Sequence, residues 1–289
     1  MVSLHRLKNA IRNRYFSESR VITIQPSKGW RMMDLKELWA YRELLWVLAL
    51  RDIKIRYKQT VLGFTWAIIQ PVLGMIVFSL IFGHWAKMPS DGYPYPIFVY
   101  AGLLPWNFFA TALASSGNSI VGSSNLITKV YFPRLIVPMS SLGAPLVDFA
   151  ISFCVMLSLM LYYGVAWRLN LFAIPFLLLA VVFTALGVGT LLAALTAAYR
   201  DFRFVIPFLV QIWMYATPVI FPIDLVPHRW RWALYLNPVA GIIDGFRSAF
   251  LGKHFNLDVL LLSFGASVIM FFIGIVYFER VERRFADVI

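Results

Sequence analysis

"LFAIPFLLLAVVFTALGVGTLLAALTA", residues 171–197, runs for 27 positions without an Asp, Glu, Lys or Arg. A helix crosses the hydrocarbon core of a bilayer with about 20 predominantly apolar residues, so this stretch reads as a transmembrane helix. The whole chain agrees. Of its 289 residues, 60% are hydrophobic and 14% charged, and the mean hydropathy is +0.74, outside the range of soluble domains. The formal charge of +12 does not point to nucleic acid, because the basic residues lie between apolar stretches rather than along one face. The charge asymmetry of a membrane accounts for them. Cys154 is the lone cysteine, which excludes an intrachain disulfide.

Five further segments qualify or nearly so. Residues 61–86, 96–121, 204–221 and 259–278 carry no Asp, Glu, Lys or Arg, and 135–164 carries one, Asp148. The 204–221 segment is the shortest and is bracketed by Pro207 and Pro218. The expected fold is therefore an all-α membrane protein with six transmembrane helices. Its three parts are a basic arm with an interface helix (1–60), the spanning domain (61–278) and a tail (279–289).

Six crossings put both termini on one side. Residues 1–60 hold 13 Lys plus Arg, the second and fourth connectors two each, and the tail three, against six on the opposite face. Positive residues favour the cytoplasm, so both termini of this multi-pass chain are expected there. No signal peptide is expected before the first span, since residues 1–60 are basic and lack an uninterrupted apolar region bounded by a cleavage site.

Within that region, "DLKELWAYRELLWVLALRDIK" places Leu38, Tyr41, Leu45 and Leu48 on one helical face and Lys36, Glu43 and Lys54 on the other. Its apolar run is too short to cross. The expectation is an amphipathic helix in the interface, with Trp39 and Trp46 at headgroup depth; the other reading is a helix of a small soluble cap.

Catalytic constellations are scarce. His5, His84, His228 and His254 lie at or beyond span ends, with no Asp, Glu or Cys at metal-ligand spacing. There is no G-x-x-x-x-G-K-[ST] loop to cradle ATP phosphates. A conduit is the stronger class and an intramembrane transferase the weaker.

Several stretches then carry a family likeness. "RDIKIRYKQTVLGFTWAIIQP" (51–71), "YAGLLPWNFF" (100–109), "NLITKVYFPRLIVP" (125–138), "YRDFR" (199–203), "MYATPVIFP" (214–222) and "LNPVAGIIDGFR" (236–247) resemble the membrane subunit of type-2 ATP-binding-cassette exporters of bacterial cell-surface polysaccharides. The likeness runs from about residue 34 to the end. O-antigen, capsule and teichoic acid exporters share these stretches, and the tail "FERVERRFADVI" leans towards O-antigen. The resemblance implies a homodimeric permease, with ATP and Mg bound by two separate ATPase subunits and no cofactor in this chain. It also implies a lipid-linked polysaccharide as substrate. An exporter of small amphiphiles in the same superfamily is the alternative.

In such exporters the link between the second and third spans is a coupling helix seated in the ATPase, and "SSNLITKVYFPR" (123–134) occupies that place. Ser124 or Asn125 can cap a short helix there, Leu126, Val130 and Tyr131 offer an apolar anchor, and Lys129 and Arg134 suit acidic partners. Pro133 stops the helix. An ordinary turn obeying the positive-inside rule would also carry two cations. Arg200 and Arg203 either complete the ATPase contact or anchor span ends at lipid phosphates.

Asp148 is expected to face protein or water, either on the translocation path or dimer seam or, as a protonated acid, bonded to a neighbouring Ser, Thr or Asn. Aromatics suited to a sugar-tolerant wall are Phe78, Phe82 and Trp85, then Trp106, Phe108 and Phe109, then Trp213 and Tyr215; the bland reading is packing or lipid contact. In the connector 222–256, Asn237 and Pro238 suit N-cap and N1, and Gly241, Gly245 and Phe246 suit close packing. The resemblance implies short re-entrant helices forming an outer gate; the other reading is helices resting on the surface.

Overall fold

A computed structural model describes residues 35–58 and 63–282. The basic arm, residues 59–62 and the tail beyond 282 lie outside the described residues. All regular structure among the described residues is helical. Helices α1 (Leu35–Ala40) and α2 (Arg42–Lys58) come first, followed by α3 (Thr65–Phe78), which continues as a wider π turn through Ser79–Trp85. Helix α4 (Tyr95–Gly122) leads through the single-turn α5 (Ser124–Ile127) and the short α6 (Ile136–Ser140) to α7 (Gly143–Tyr162). Then come α8 (Ile174–Ala198), α9 (Phe202–Tyr215), α10 (His228–Tyr235), α11 (Pro238–Leu251) and α12 (Leu257–Glu282).

Five of these units are long and apolar enough to cross a membrane: Thr65–Trp85, Tyr95–Gly122, Ile136–Tyr162, Leu169–Ala198 and Leu257–Glu282. The expected fifth span differs. Helix α9 has 14 residues, about 21 Å at 1.5 Å per residue, against a hydrocarbon core of about 30 Å. The chain stops being helical at Tyr215, three residues before Pro218, and turns through 216–221. Non-helical backbone of this kind needs partners away from water. They are present: Tyr95 donates to the Ile220 carbonyl at 2.8 Å, and Arg247 donates to the carbonyls of Phe221, at 3.0 Å, and Val219.

Helix α4 is the axis of the fold. It buries Ile97, Phe98, Val99, Tyr100 and Ala101 completely and packs on α8, which packs in turn on α12, while α11 wedges among all three. Small residues set these distances. A methyl group on Gly274 of α12 would stand 1.9 Å from the carbonyl oxygen of Gly187 on α8, so the two backbones touch where side chains normally intervene. Thr184 bonds to Ser267 across the same seam at 2.7 Å.

Helices α1 and α2 hold the residues of the expected interface helix. The predicted packing face is right: Leu38, Tyr41, Leu45 and Leu48 join a second core with Ile127, Phe132, Ile136 and Phe278. The opposite face is not simply polar. Trp39, Trp46, Val47 and Ile55 are exposed there among Glu43, Arg51 and Lys54, and the helix breaks at Tyr41. Helix α2 leans on α6 and α7, with Ala49 against Gly143.

Candidate functional site

The second core marks one end of the helices, where α4, α8 and α12 meet α2, and the corners that follow α4 and α8 carry Lys129, Arg134, Arg200 and Arg203, so it is called the basic end. The corner 123–134 sits on it. Ile127 and Phe132 point inward and are buried, whereas Lys129, Val130 and Tyr131 point outward, Val130 with 52% and Tyr131 with 64% of its surface exposed. Ile127 and Phe132 thus hold the corner to the chain's own core, with Leu126 half-buried beside them, while Val130 and Tyr131, expected to offer an apolar anchor to a partner, stand outward. Asn125 is exposed. Helix α5 begins at Ser124, so Ser123 is the N-cap, and it makes no side-chain cap bond. Thr128 instead donates to the Ser124 carbonyl at 3.0 Å and tightens the turn.

Arg134 is held inside the chain. Its backbone N–H donates to Glu282 Oε1 at 3.2 Å, and its guanidinium donates to the Glu282 carbonyl, tying the corner to the end of α12. Tyr131 feels the same neighbourhood: partial burial, then the carboxylates of Glu37 and Glu282, push its hydroxyl pKa upward. The outward surface of the corner is a short apolar-basic knob, Lys129–Val130–Tyr131. At the α8–α9 corner, Tyr199, Arg200, Asp201 and Arg203 are all exposed.

Asp148 has found partners that its sequence neighbourhood does not reveal. They are not Ser, Thr or Asn of an adjacent span but Arg56 and Tyr57 of α2. Arg56 Nη2 lies 2.6 Å from Asp148 Oδ2, and the Tyr57 hydroxyl donates to Oδ1. Burial first, then that hydrogen bond and the carboxylate charge, push the Tyr57 hydroxyl well above its usual range. These groups border a cavity of about 290 Å3, which Trp66, Gln70, Asn107 and Thr111 also line.

The aromatic set divides. Trp106, Phe108 and Phe109 are buried within the chain. They form a ring network in which Trp106 packs on Phe109, Phe109 stands edge-on to Trp213 at 5.1 Å, and Phe108 stands edge-on to Phe149 at 5.6 Å. Trp213 is half-buried and donates its indole N–H to Asn237 Oδ1 at 3.0 Å. Phe78 and Phe82 pack on each other against the core. Trp85 and Tyr215 are the two that stand exposed.

At the other end, Asn237 caps α11 by accepting from the Val239 N–H at 3.1 Å, and its amide donates to Thr217 Oγ1 at 2.8 Å. Pro238 is at N1, and Gly252 ends the helix in the left-handed conformation at φ +68°, which glycine adopts without Cβ strain. Nearly all of α11 is buried, Gly241 close against Ser263 and Gly245 against Leu177, with Phe246 in the main core. Helix α11 is thus a packed internal element and not a helix resting on the surface. Sequence reasoning missed Arg247, 1% exposed, which lies 4.0 Å over the Phe98 ring while holding the 219–221 turn. A signal was available: an arginine within an apolar, glycine-spaced helix needs an internal partner. Among the described residues no cluster of His, Cys, Asp and Glu fits a metal ion.

The sequence has relatives among known proteins. The family model described as ABC-2 type transporter matches residues 43–251. An O-antigen export system permease of Myxococcus xanthus is 30% identical over 258 residues, covering 88% of this chain and 98% of the relative. A protein of the same name from Klebsiella pneumoniae is 26% identical over 248 residues, 86% and 95% of the two chains. The polysialic acid transport protein KpsM of Escherichia coli is 22% identical over 242 residues, 82% and 92%. With a family match over most of its length and near full-length relatives that are transport permeases, this chain belongs to the ABC-2 type transporter membrane family.

Proposed function

We infer that the chain is the permease half of an ATP-driven exporter of a lipid-linked cell-surface polysaccharide, of the O-antigen type. The observation that carries this reading is the near full-length similarity, 30% over 88% of the chain, to a permease named for O-antigen export. Two copies form the conduit, and two separate ATPase subunits supply ATP hydrolysis. The basic end faces the cytoplasm, in keeping with the positive-inside rule. Helix α9 with the turn that follows it, buried over 217–220, completes a sixth crossing in the inner membrane. Helices α1 and α2 lie at the inner interface with Trp39 and Trp46 among the headgroups.

In this mechanism the ATPase grips Lys129, Val130 and Tyr131, and Arg200 and Arg203 extend the contact. Movement of the corner reaches α12 through Arg134 and Glu282 and reaches α2 through the second core. Trp85 and Tyr215 present flat apolar faces to the polymer, which suits sugar rings without demanding one hydroxyl pattern. At the outer end α11, held by Asn237, Pro238, Gly241, Gly245 and Phe246, supports the exit.

The test is reconstitution of the chain with its ATPase subunit in liposomes loaded with a defined glycolipid polymer. ATP-dependent movement of the polymer across the bilayer is the expected result. An ATPase stimulated by small amphiphiles and indifferent to the polymer overturns the substrate reading. Turnover of a substrate by the permease alone overturns the whole proposal.

A further inference from the structure

Three pairs of side chains, each pair four residues apart, converge on the 290 Å3 cavity: Trp66 and Gln70 from α3, Asn107 and Thr111 from α4, Asp148 and Ser152 from α7. Residues spaced by four lie on one helical face, so each helix turns two polar or aromatic groups to the same space. Arg56 and Tyr57 of α2 close the remaining side.

Charge narrows what fits. Among the described residues the lining holds one cation and one carboxylate, and they are paired at 2.6 Å. A phosphate would find its cation engaged and a carboxylate beside it. A wholly apolar ligand would bury the Gln70 and Asn107 amides without hydrogen bonds, which is costly; neither amide has a side-chain partner among the described residues. The Thr111 hydroxyl donates to the Asn107 carbonyl at 2.7 Å, leaving its lone pairs to accept. Its described residues therefore offer an aromatic plate, two amides that both donate and accept, and further acceptors, with no net charge. Trp66 is 51% exposed, open enough to receive a ring. That combination matches a neutral pyranose, whose C–H face is apolar and whose rim is hydroxyls. The volume lies at the lower edge of small-molecule sites, which run from about 300 to 1,000 Å3, and suits one ring rather than a length of polymer.

We propose that this cavity binds a single neutral sugar ring of the glycolipid and so selects which polymer enters the conduit. The inference rests on the exporter reading above. The Arg56–Asp148 pair orients the acceptors, and the two amides read the hydroxyls.

The test uses the full chain in nanodiscs and a photoreactive octyl glucopyranoside with a diazirine beside the anomeric oxygen. Adducts are expected within 66–70 and 107–111. Excess octyl glucoside should suppress them at least about fivefold, and octyl tetraethylene glycol, which shares the tail and lacks the sugar, should not. The Gln70→Ala/Asn107→Ala double variant should lose the same adducts, and should the variant fail to fold, the wild-type competition decides alone. Adducts spread along lipid-facing helices, or suppressed equally by both competitors, overturn the site. Polymer export by the wild-type chain is measured in parallel. Export without a sugar-competed adduct removes this inference and spares the exporter reading; a sugar-competed adduct without polymer export does the reverse.

Discussion

Asp148 shows what a single charge in an apolar helix requires. An unpaired carboxylate at the centre of a span costs about 2.5 to 3.5 kcal/mol on insertion scales, so the sequence alone demands a partner. It does not say which, because Arg56 and Tyr57 lie some ninety residues upstream and meet Asp148 only after α2 folds back along α7. Arg247 was hidden for the same reason: its acceptors are backbone carbonyls of a turn whose existence no periodicity announces. The Arg56 side chain remains 39% exposed and Asp148 17%, so solvent screening discounts their attraction relative to a fully buried pair. Replacing Asp148 with Asn should cost about 1 to 2 kcal/mol, and adding Arg56→Gln should cost less than the sum of the single changes. Thermal unfolding of the four proteins of this cycle in detergent measures the coupling. Strict additivity would mean that the pair contributes nothing to the fold.

At the scale of elements, hydropathy located the long helices well, since a run without charges longer than about 20 residues admits few other structures. It failed where a helix ends inside an apolar stretch: 204–221 reads as one segment, and only Pro218 hints that α9 closes at Tyr215. At the corner 123–134 the sequence offered Leu126, Val130 and Tyr131 as a contact and passed over Ile127 and Phe132, which hold the corner to the second core. Spacing alone does not say which of Ile127, Val130, Tyr131 and Phe132 turn inward, because a single turn of helix has too little length to define a face. The structure separates fold from contact, and the separation can be measured. Lys129→Ala with Tyr131→Ala should leave thermal stability within about 0.5 kcal/mol of wild type, as exposed substitutions do. The same pair should weaken ATPase-subunit binding at least about tenfold, in a pull-down titration, if the knob is a contact hot spot. Phe132→Ala should instead cost about 3 to 5 kcal/mol of stability by emptying the second core. Unchanged ATPase affinity in the double variant would remove the knob from the coupling surface.

For the whole molecule, the proposed dimer raises the question of which uncovered faces meet lipid and which would meet a second copy. Helix α12 exposes Leu261, Leu262, Ile269, Phe272, Ile273 and Val276, an apolar row beyond Asp258, which stands in the helix's first turn, and lipid tails satisfy that row. Helices α3 and α9 are also little buried, only Pro71 and Ile206 being enclosed, but their exposed faces include Gln70 and Gln211 among apolar residues. An amide facing hydrocarbon lacks partners, so such faces belong against protein or a wet conduit. The burial of Trp106, Phe108 and Phe109 inside one chain points the same way, because in the proposed dimer it leaves exposed rings such as Trp66, Trp85, Phe204, Phe208 and Tyr215 to line the path. A two-fold interface is self-complementary and brings a residue near its axis against its own equivalent. In a Cys154→Ser background, which removes the one native thiol, Ile212→Cys on α9 should therefore form a disulfide-linked dimer in native membranes under mild oxidation. Leu261→Cys on α12 should not. Cross-linking through α12 with none through α9 or α3 would place the seam on the opposite side of the protein, and the conduit with it.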